Sequence, residues 1–224
     1  MPVPFSLLPI LICILTLLPP TTVIAQPFSR SLPINTTLKS LVYSGSGCSP
    51  GTVSSSLTSS ALTLSFDNMY AQIGPGVPVS QNRKNCQINV EIVTDALWRF
   101  VVGWDASGAG EREMGTRIMG NMMLEEGVNA TFSAGYEMLA GVEAGKSSSN
   151  TTFHGPLSGA FDQKLLALDG GEDGVVSKCG GGILRVTDQL RLMAPRNASV
   201  SGSLGPQEGS AKFVQETRLA WRAC

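Results

Sequence analysis

Hydrophobic and polar residues alternate with a period of two in several segments, which is the pattern of β-strands that bury one face. The clearest apolar sets are Leu62, Leu64 and Phe66; Cys86, Ile88, Val90 and Ile92; Trp98, Phe100, Val102 and Trp104; Leu184, Val186, Leu190 and Leu192; and the set from Phe213 through Gln215, Thr217 and Leu219 to Trp221. Asp188 marks either the middle of one strand or a bend between two. The pattern predicts a series of half-buried strands.

Turn signals separate these segments, among them Gly74-Pro75-Gly76, Gly155-Pro156 and Gly180-Gly181-Gly182. The chain of 224 residues contains 25 glycines and 13 prolines, which argues against a helical bundle. Residues 114–126 are compatible with a helix, but Gly115, Gly120 and the β-branched flanks favour strands. We therefore predict an all-β fold, an antiparallel β-sandwich stapled by two disulfides.

The first segment has the composition of a secretory signal. Leu7 to Leu18 is an uncharged apolar run too short for a membrane span of about 20 residues, and small residues follow at Val23-Ile24-Ala25. An uncleaved anchor is the alternative. We predict a signal peptide over 1–25, a flexible lead-in over 26–46, and a single β-sandwich domain over 47–224.

Cysteine usage agrees with an oxidising compartment. Besides Cys13 in the predicted signal, the chain has Cys48, Cys86, Cys179 and Cys224, and an even number implies two disulfides with three connectivities open. We favour Cys48–Cys86 and Cys179–Cys224 because each pair brackets one half of the chain. No C-x-x-C spacing exists and the chain has one histidine, so neither a metal site nor a cofactor is predicted.

Four N-glycosylation sequons begin at Asn35, Asn129, Asn150 and Asn197. Each is a potential acceptor in an exported chain and requires an exposed backbone. Together with the signal, they predict a secreted glycoprotein that is extracellular or attached to a cell wall, without a membrane span after cleavage.

Several short motifs carry a resemblance to a known family. They are Gly45-Ser46-Gly47-Cys48, Leu64-Ser65-Phe66-Asp67, Gly74-Pro75-Gly76-Val77-Pro78, Arg83-Lys84-Asn85-Cys86-Gln87, Cys179-Gly180-Gly181 and the ending Leu219-Ala220-Trp221-Arg222-Ala223-Cys224. The chain resembles the small secreted, mostly fungal proteins known as domain of unknown function 4360. The resemblance implies secretion, two disulfide bridges and a β-rich fold, and it implies no activity. Ser49 departs from the proline that usually follows the first cysteine of the family.

Three motifs suggest catalysis or ligation only superficially. Gly141 to Ser147 lacks the spacing of a phosphate-binding loop, because three residues instead of four separate its glycines. The acidic stretch from Asp169 to Gly174 lacks the ligand pattern of a calcium-binding loop and is interpreted as an exposed turn. His154 has no nucleophile motif such as G-x-S-x-G around a serine, so it is interpreted as a surface histidine.

Paired carboxylates are the remaining route to catalysis, because glycoside cleavage requires two acids across a cleft. The candidates at expected strand ends are Asp67, Glu91, Asp95 and Asp105. Trp98 and Trp104 on one face are interpreted as core rather than as a platform for stacking sugars.

A polar cluster beside Cys86 is the best candidate for ligand contact. Arg83, Lys84 and Asn85 would be held in place by the expected disulfide and suit a sugar or a carboxylate. The alternative is that they only support the neighbouring turn at Gly74-Pro75-Gly76.

The formal net charge of −1 removes bulk attraction to nucleic acid or anionic lipid as the main activity. The sequence therefore favours a non-catalytic extracellular binding protein whose partner is a cell-wall glycan or a host surface component. The alternative is an unconventional secreted enzyme, either carbohydrate-active or a cyclase in fungal secondary metabolism, which would need a deep pocket with converging acids.

Overall fold

The computed structural model describes residues 28–29, 32–103, 115–139, 145–169, 174–195, 199–206 and 212–224. Within these ranges lie fifteen β-strands and one short 3-10 turn at Val79–Gln81. The strands are β1 Phe28–Ser29, β2 Thr37–Ser44, β3 Val53–Leu57, β4 Ala61–Phe66, β5 Ala71–Ile73, β6 Arg83–Val93, β7 Trp98–Val102, β8 Gly115–Leu124, β9 Asn129–Met138, β10 Lys146–His154, β11 Leu157–Asp169, β12 Val175–Val176, β13 Gly181–Met193, β14 Gly202–Gly205 and β15 Phe213–Ala223.

The strands form two antiparallel sheets that pack face to face, so the predicted all-β sandwich is confirmed. The front sheet has the order β2-β6-β13-β9-β10. The back sheet is built around β4, β15, β8 and β11, with β3 beside β4, β14 beside β8, β5 beside β14, and β7 and β12 along the end of β15. The end of β11 turns toward the front sheet, where Ala167 pairs with Ser149 of β10, and this joins the two sheets along one side.

Strands begin before residue 47, the predicted start of the β-sandwich domain. Residues 37–44, assigned from sequence to the flexible lead-in, form the edge strand β2 and pair with β6. The physical reason is that Leu38 and Leu41 pack against the core. These two apolar residues are a weak sequence signal within a segment that is otherwise polar. The predicted signal at 1–25 lies outside the described residues.

The core includes the inward side chains that the alternation predicted. Leu62, Leu64 and Phe66 of β4 are fully buried, as are Cys86, Ile88, Val90 and Ile92 of β6. Across the interface, Phe132 of the front sheet meets Phe213 of the back sheet with ring centroids 5.2 Å apart. Phe100 and Val102 are also buried, Trp98 packs against the core, and Trp104 lies outside the described residues.

Residues 115–124, which lie in the segment also compatible with a helix, form strand β8, as the glycines of the segment indicated. β8 buries alternate residues along its whole length, a pattern that a helix would not produce. Gly120 leaves room for Phe161 here, because a Cβ at this position would lie 3.1 Å from two ring atoms of Phe161, and the ring would have to shift. The region around Asp188 is one continuous strand, β13, and not a bent pair.

Both predicted disulfides are present, but their surroundings differ. Cys48–Cys86 is buried and ties the loop after β2 to the front sheet, whereas Cys179–Cys224 is exposed at one end of the sandwich. Cys179 precedes β13 of the front sheet and Cys224 follows β15 of the back sheet, so the second bridge joins the two sheets covalently.

A reductant should therefore open the exposed Cys179–Cys224 disulfide before the buried Cys48–Cys86 disulfide. Limited phosphine reduction of the folded protein, followed by alkylation and peptide mapping, is expected to label Cys179 and Cys224 first, because reductant reaches an exposed bridge more easily. Opening this 45-residue loop should lower the free energy of unfolding by up to about 4 kcal/mol and reduce the melting temperature. Equal labelling of Cys48 and Cys86 before denaturant is added would contradict the prediction.

Candidate functional site

The outward surface of the front sheet carries an extended array of polar side chains. We call it the polar face; it consists of Lys39, Ser40, Ser44, Arg83, Asn85, Gln87, Asn89, Glu91, Thr131, Ser133, Gly135, Glu137, Lys146, Ser148, Asn150, Thr152, His154, Arg185, Thr187, Gln189 and Arg191, with Val42 at its edge. Because successive strand residues point to opposite sides, the buried residues of β6, β9 and β13 direct their neighbours in these strands outward.

The polar face contains a depression of about 340 Å³. Gly135 of β9 lies between Ser148 of β10 and Thr187 of β13 in the ladder, so the middle of this row has no side chain. A Cβ on Gly135 would lie 3.8 Å from the Thr187 carbonyl oxygen, an ordinary contact, which means that packing does not demand glycine here. The missing side chain therefore shapes the surface without being required by the fold.

Charged side chains border the depression on one side. Glu137 accepts from Lys146 with Nζ 2.9 Å from Oε1, and Arg185 Nη1 lies 3.7 Å from Oε2 of the same carboxylate. Two cations thus share one acid. Arg185 Nε is buried without a hydrogen-bond partner, so this guanidinium retains unused donor capacity.

The structure divides the candidate cluster beside Cys86. Arg83 and Asn85 point outward and belong to the polar face, while Lys84 points the other way and donates to Gln81 Oε1 at 2.7 Å. Asn85 Oδ1 accepts from Ser46 Oγ at 2.7 Å and so fixes the turn before the buried disulfide. Asn85 therefore has a supporting role in the fold, and Arg83 is the member of the three with its charge open to solvent.

A second polar group, which sequence reasoning missed, lies inside the sandwich. The hydroxyl of Tyr136 in the front sheet bonds to Thr116, to Thr217 Oγ1 at 3.0 Å and to Gln215 Nε2 at 2.9 Å, all three in the back sheet. Burial raises the pKa of Tyr136 to about 12, and the nearby Asp188 adds to the rise. These hydrogen bonds connect the two sheets through the middle of the core.

Asp188 is the inward residue of β13 next to this cluster and is fully buried. Both of its carboxyl oxygens and Gln215 Oε1 lack hydrogen-bond partners in the described structure. Burial raises the pKa of Asp188 well above its ordinary value, and interaction with Gln215 offsets only part of that rise. A protonated Asp188 would avoid the cost of an unpaired charge in the core. The break in hydrophobicity at 188 was the sequence signal, and it is compatible with either the middle of one strand or a bend between two.

Three of the four carboxylates considered for catalysis are described, and each has its own partner. Asp67 follows β4 of the back sheet and faces Lys212 at 3.3 Å, whereas Glu91 on the polar face holds Lys39 at 2.8 Å. The hydrogen bonds from Lys39 and Ser40 lower the pKa of Glu91. Asp95 accepts from the Leu97 amide in a turn, and Asp105 lies outside the described residues.

His154 lies at the end of β10, where its Nδ1 is 2.8 Å from Asn129 Oδ1. This exposed pairing agrees with the interpretation as a surface histidine. Most of the acidic stretch at 169–174 and of the glycine-containing motif at 141–147 lies outside the described residues. Among the described residues, no three His, Cys, Asp or Glu side chains are placed to share a metal ion.

Three of the four sequons lie in the described part of the chain. Asn35 and Asn150 are exposed and Asn129 is half-buried, whereas Asn197 is not described. Their glycosylation stays a prediction. Among the described residues, no helix is both long and apolar enough to cross a membrane.

Fold and surface together define a disulfide-linked antiparallel β-sandwich that presents one broad polar sheet face. The chain belongs to the family described as Domain of unknown function (DUF4360), whose profile matches residues 35–224. It is 33% identical over 189 residues to an "Uncharacterized secreted protein" of Arthroderma benhamiae, a match that covers 82% of this chain and 70% of the relative. The protein is secreted, as the sequence predicted.

A solved structure, "Structure of PfGH50B", aligns over 83% of this chain with 10% sequence identity and a TM-score of 0.25. The chain spans 22% of the length of that protein. A similarity at this level does not indicate a shared fold.

The buried carboxyl predicts how stability depends on pH. Because Asp188 binds its proton more tightly in the folded state than in the unfolded state, the free energy of unfolding should fall as pH rises above about 4, by up to about 1.4 kcal/mol per pH unit, until the raised pKa is passed. Asp188→Asn keeps the size and polarity of the side chain and removes the titration, so its stability should decline less over this range.

Urea unfolding of both proteins at pH 4, 5, 6 and 7 measures the difference. Asp67→Asn changes an exposed carboxylate on the back-sheet side and is the matched control, which should follow the pH dependence of the native protein. Identical pH dependence of the native protein and Asp188→Asn would show that Asp188 is ionised in the fold and would contradict the argument.

Proposed function

We propose that this protein binds a cell-wall polysaccharide outside the cell and that the polar face is its contact surface. The observation that carries the proposal is the depression over Gly135, set in a face of serine, threonine, asparagine and glutamine side chains. These side chains both donate and accept hydrogen bonds, as sugar hydroxyls do. A broad shallow site suits a segment of an extended polymer better than a small molecule, which is usually enclosed on most sides.

The environment of Glu137 supports binding over the alternative of an unconventional enzyme. Acid/base cleavage of a glycoside requires two carboxyl groups facing each other across the substrate. Among the described residues that line the depression, Glu137 is the single carboxylate, and it is engaged with Lys146 and Arg185. Such a group is suited to orienting the two cations rather than to transferring a proton.

The disulfide positions support a rigid binding surface. Cys86 lies in β6, so the buried bridge anchors one of the five strands of the polar face from below. The face also consists of paired strands and not of loops. Less conformational entropy is therefore lost when a ligand binds.

Gly135→Val tests the site directly. The Cβ is tolerated and valine favours a strand, so the variant should fold with an unchanged or slightly higher melting temperature, while its methyl groups fill the depression. Co-sedimentation with insoluble β-glucan, chitin and cross-linked polygalacturonate should show that the native protein binds at least one polymer and that Gly135→Val binds it at least tenfold more weakly.

Ser65→Val introduces the same side chain on the outer surface of the back sheet and serves as the control, which should bind like the native protein. Asn150 lies beside Ser148 on the polar face, so binding is measured before and after enzymatic removal of N-linked glycans. If neither form binds any of the polymers, or if Gly135→Val binds as well as the native protein, the proposal is wrong.

A further inference from the structure

Charge is distributed unevenly between the polar face and the rest of the protein. The face carries five basic side chains, Lys39, Arg83, Lys146, Arg185 and Arg191, and two acidic ones, Glu91 and Glu137, which gives it a net charge of +3. The whole chain has a formal net charge of −1. The excess of positive charge is therefore a property of this surface and not of the composition.

Two of these cations face each other directly. Arg83 of β6 and Arg191 of β13 are opposite residues in the antiparallel register, and both are exposed. Directly opposed residues have Cβ atoms about 5 Å apart, a distance at which like charges destabilise the pair. Neither arginine has an acidic partner among the described residues.

A pair of unpartnered guanidinium groups at this spacing is suited to a carboxylate. Each guanidinium offers donors in a planar fork that matches the two oxygens of an anion, and an anion between the pair removes the repulsion. Arg83 and Arg191 form a row across the sheet that Thr131 of β9 continues on the other side of Arg191. The hydroxyl of Thr131 lies 3.1 Å from that of Thr152. The row thus combines two cations with two hydroxyl groups.

The second group of cations consists of Lys146 on β10 and Arg185 on β13, and Arg185 lies on the same strand as Arg191. Arg185 precedes Arg191 by six residues on β13, which corresponds to about 20 Å. Between them the polar face carries Thr187 and Gln189, which are neutral hydrogen-bonding side chains. Two cationic points separated by a neutral polar stretch fit an extended chain with repeated negative charges and hydroxyl groups between them.

From these observations we infer that the ligand of the polar face is a linear polysaccharide bearing carboxylate groups, with Arg83 and Arg191 as one anion-binding point and Lys146 and Arg185 as the other. The inference rests on the proposed function and adds its ligand class. A nucleic acid fits less well, because none of the described side chains assigned to this face is an aromatic that could stack on bases.

The test compares polymers that differ in charge. Polygalacturonate carries a carboxylate on each sugar, its fully methyl-esterified form carries none, and a soluble β-glucan is the neutral reference. The native protein should bind polygalacturonate at least tenfold more tightly than the ester, and the affinity should fall as salt is raised from 50 to 200 mM.

Arg83→Gln/Arg191→Gln removes one anion-binding point. It should weaken binding to polygalacturonate at least tenfold while the melting temperature stays the same or rises, since the repulsion between the arginines is also removed. Arg218→Gln, an exposed arginine on the outer surface of the back sheet, is the matched control and should bind like the native protein.

The outcomes separate the inference from the proposed function. Equal binding of the acidic polymer, its ester and the β-glucan, unaffected by the double variant, would overturn the inference and leave polysaccharide binding in place. Equal or tighter binding to duplex DNA or to vesicles with anionic lipid would show general attraction to anions and would also overturn it. Absence of binding to all three saccharides and to the insoluble polymers would reject both.

Discussion

The packing of two sheets through their inner faces is the constraint on which the rest of this structure depends. Side chains from β6, β9 and β13 meet those from β4, β8 and β15 in one continuous core, with Phe132 and Phe213 in contact across the interface. In a strand, an inward side chain forces both of its neighbours outward. A slip of one residue in any of these strands would expose its apolar set, so the register of the whole sandwich is tightly specified.

The polar face follows from this constraint. Its side chains are the outward half of strands whose inward half builds the core, so the surface is as rigid as the core beneath it. The opposed arginines do not follow from it, because an acidic residue at either position would stabilise the ladder better. A surface feature that the fold tolerates but does not favour is a reason to look for a ligand.

A cluster of buried polar side chains interrupts the apolar interior. Tyr136, Gln215, Asp188 and two threonines occupy inward positions that leucine or valine could fill, and burying them is unfavourable unless their hydrogen bonds are made. The bonds from the Tyr136 hydroxyl cross from one sheet to the other, so they are formed only when both sheets have the correct register. Tyr136 also lies between Gly135 and Glu137, which places the cluster directly beneath the depression.

Much of the fold could be predicted from the sequence by itself. The alternation at 62–66, 86–92 and 213–221, the turn residues and the four cysteines were enough for the fold class, several core strands and the preferred disulfide pairing, because local periodicity and covalent chemistry are encoded in consecutive residues. Tertiary structure alone decided that residues 37–44 form a strand, that Arg83 faces Arg191, and that Asp188 meets Gln215. The partners in these pairs come from distant parts of the chain, and no local pattern contains the register that brings them together.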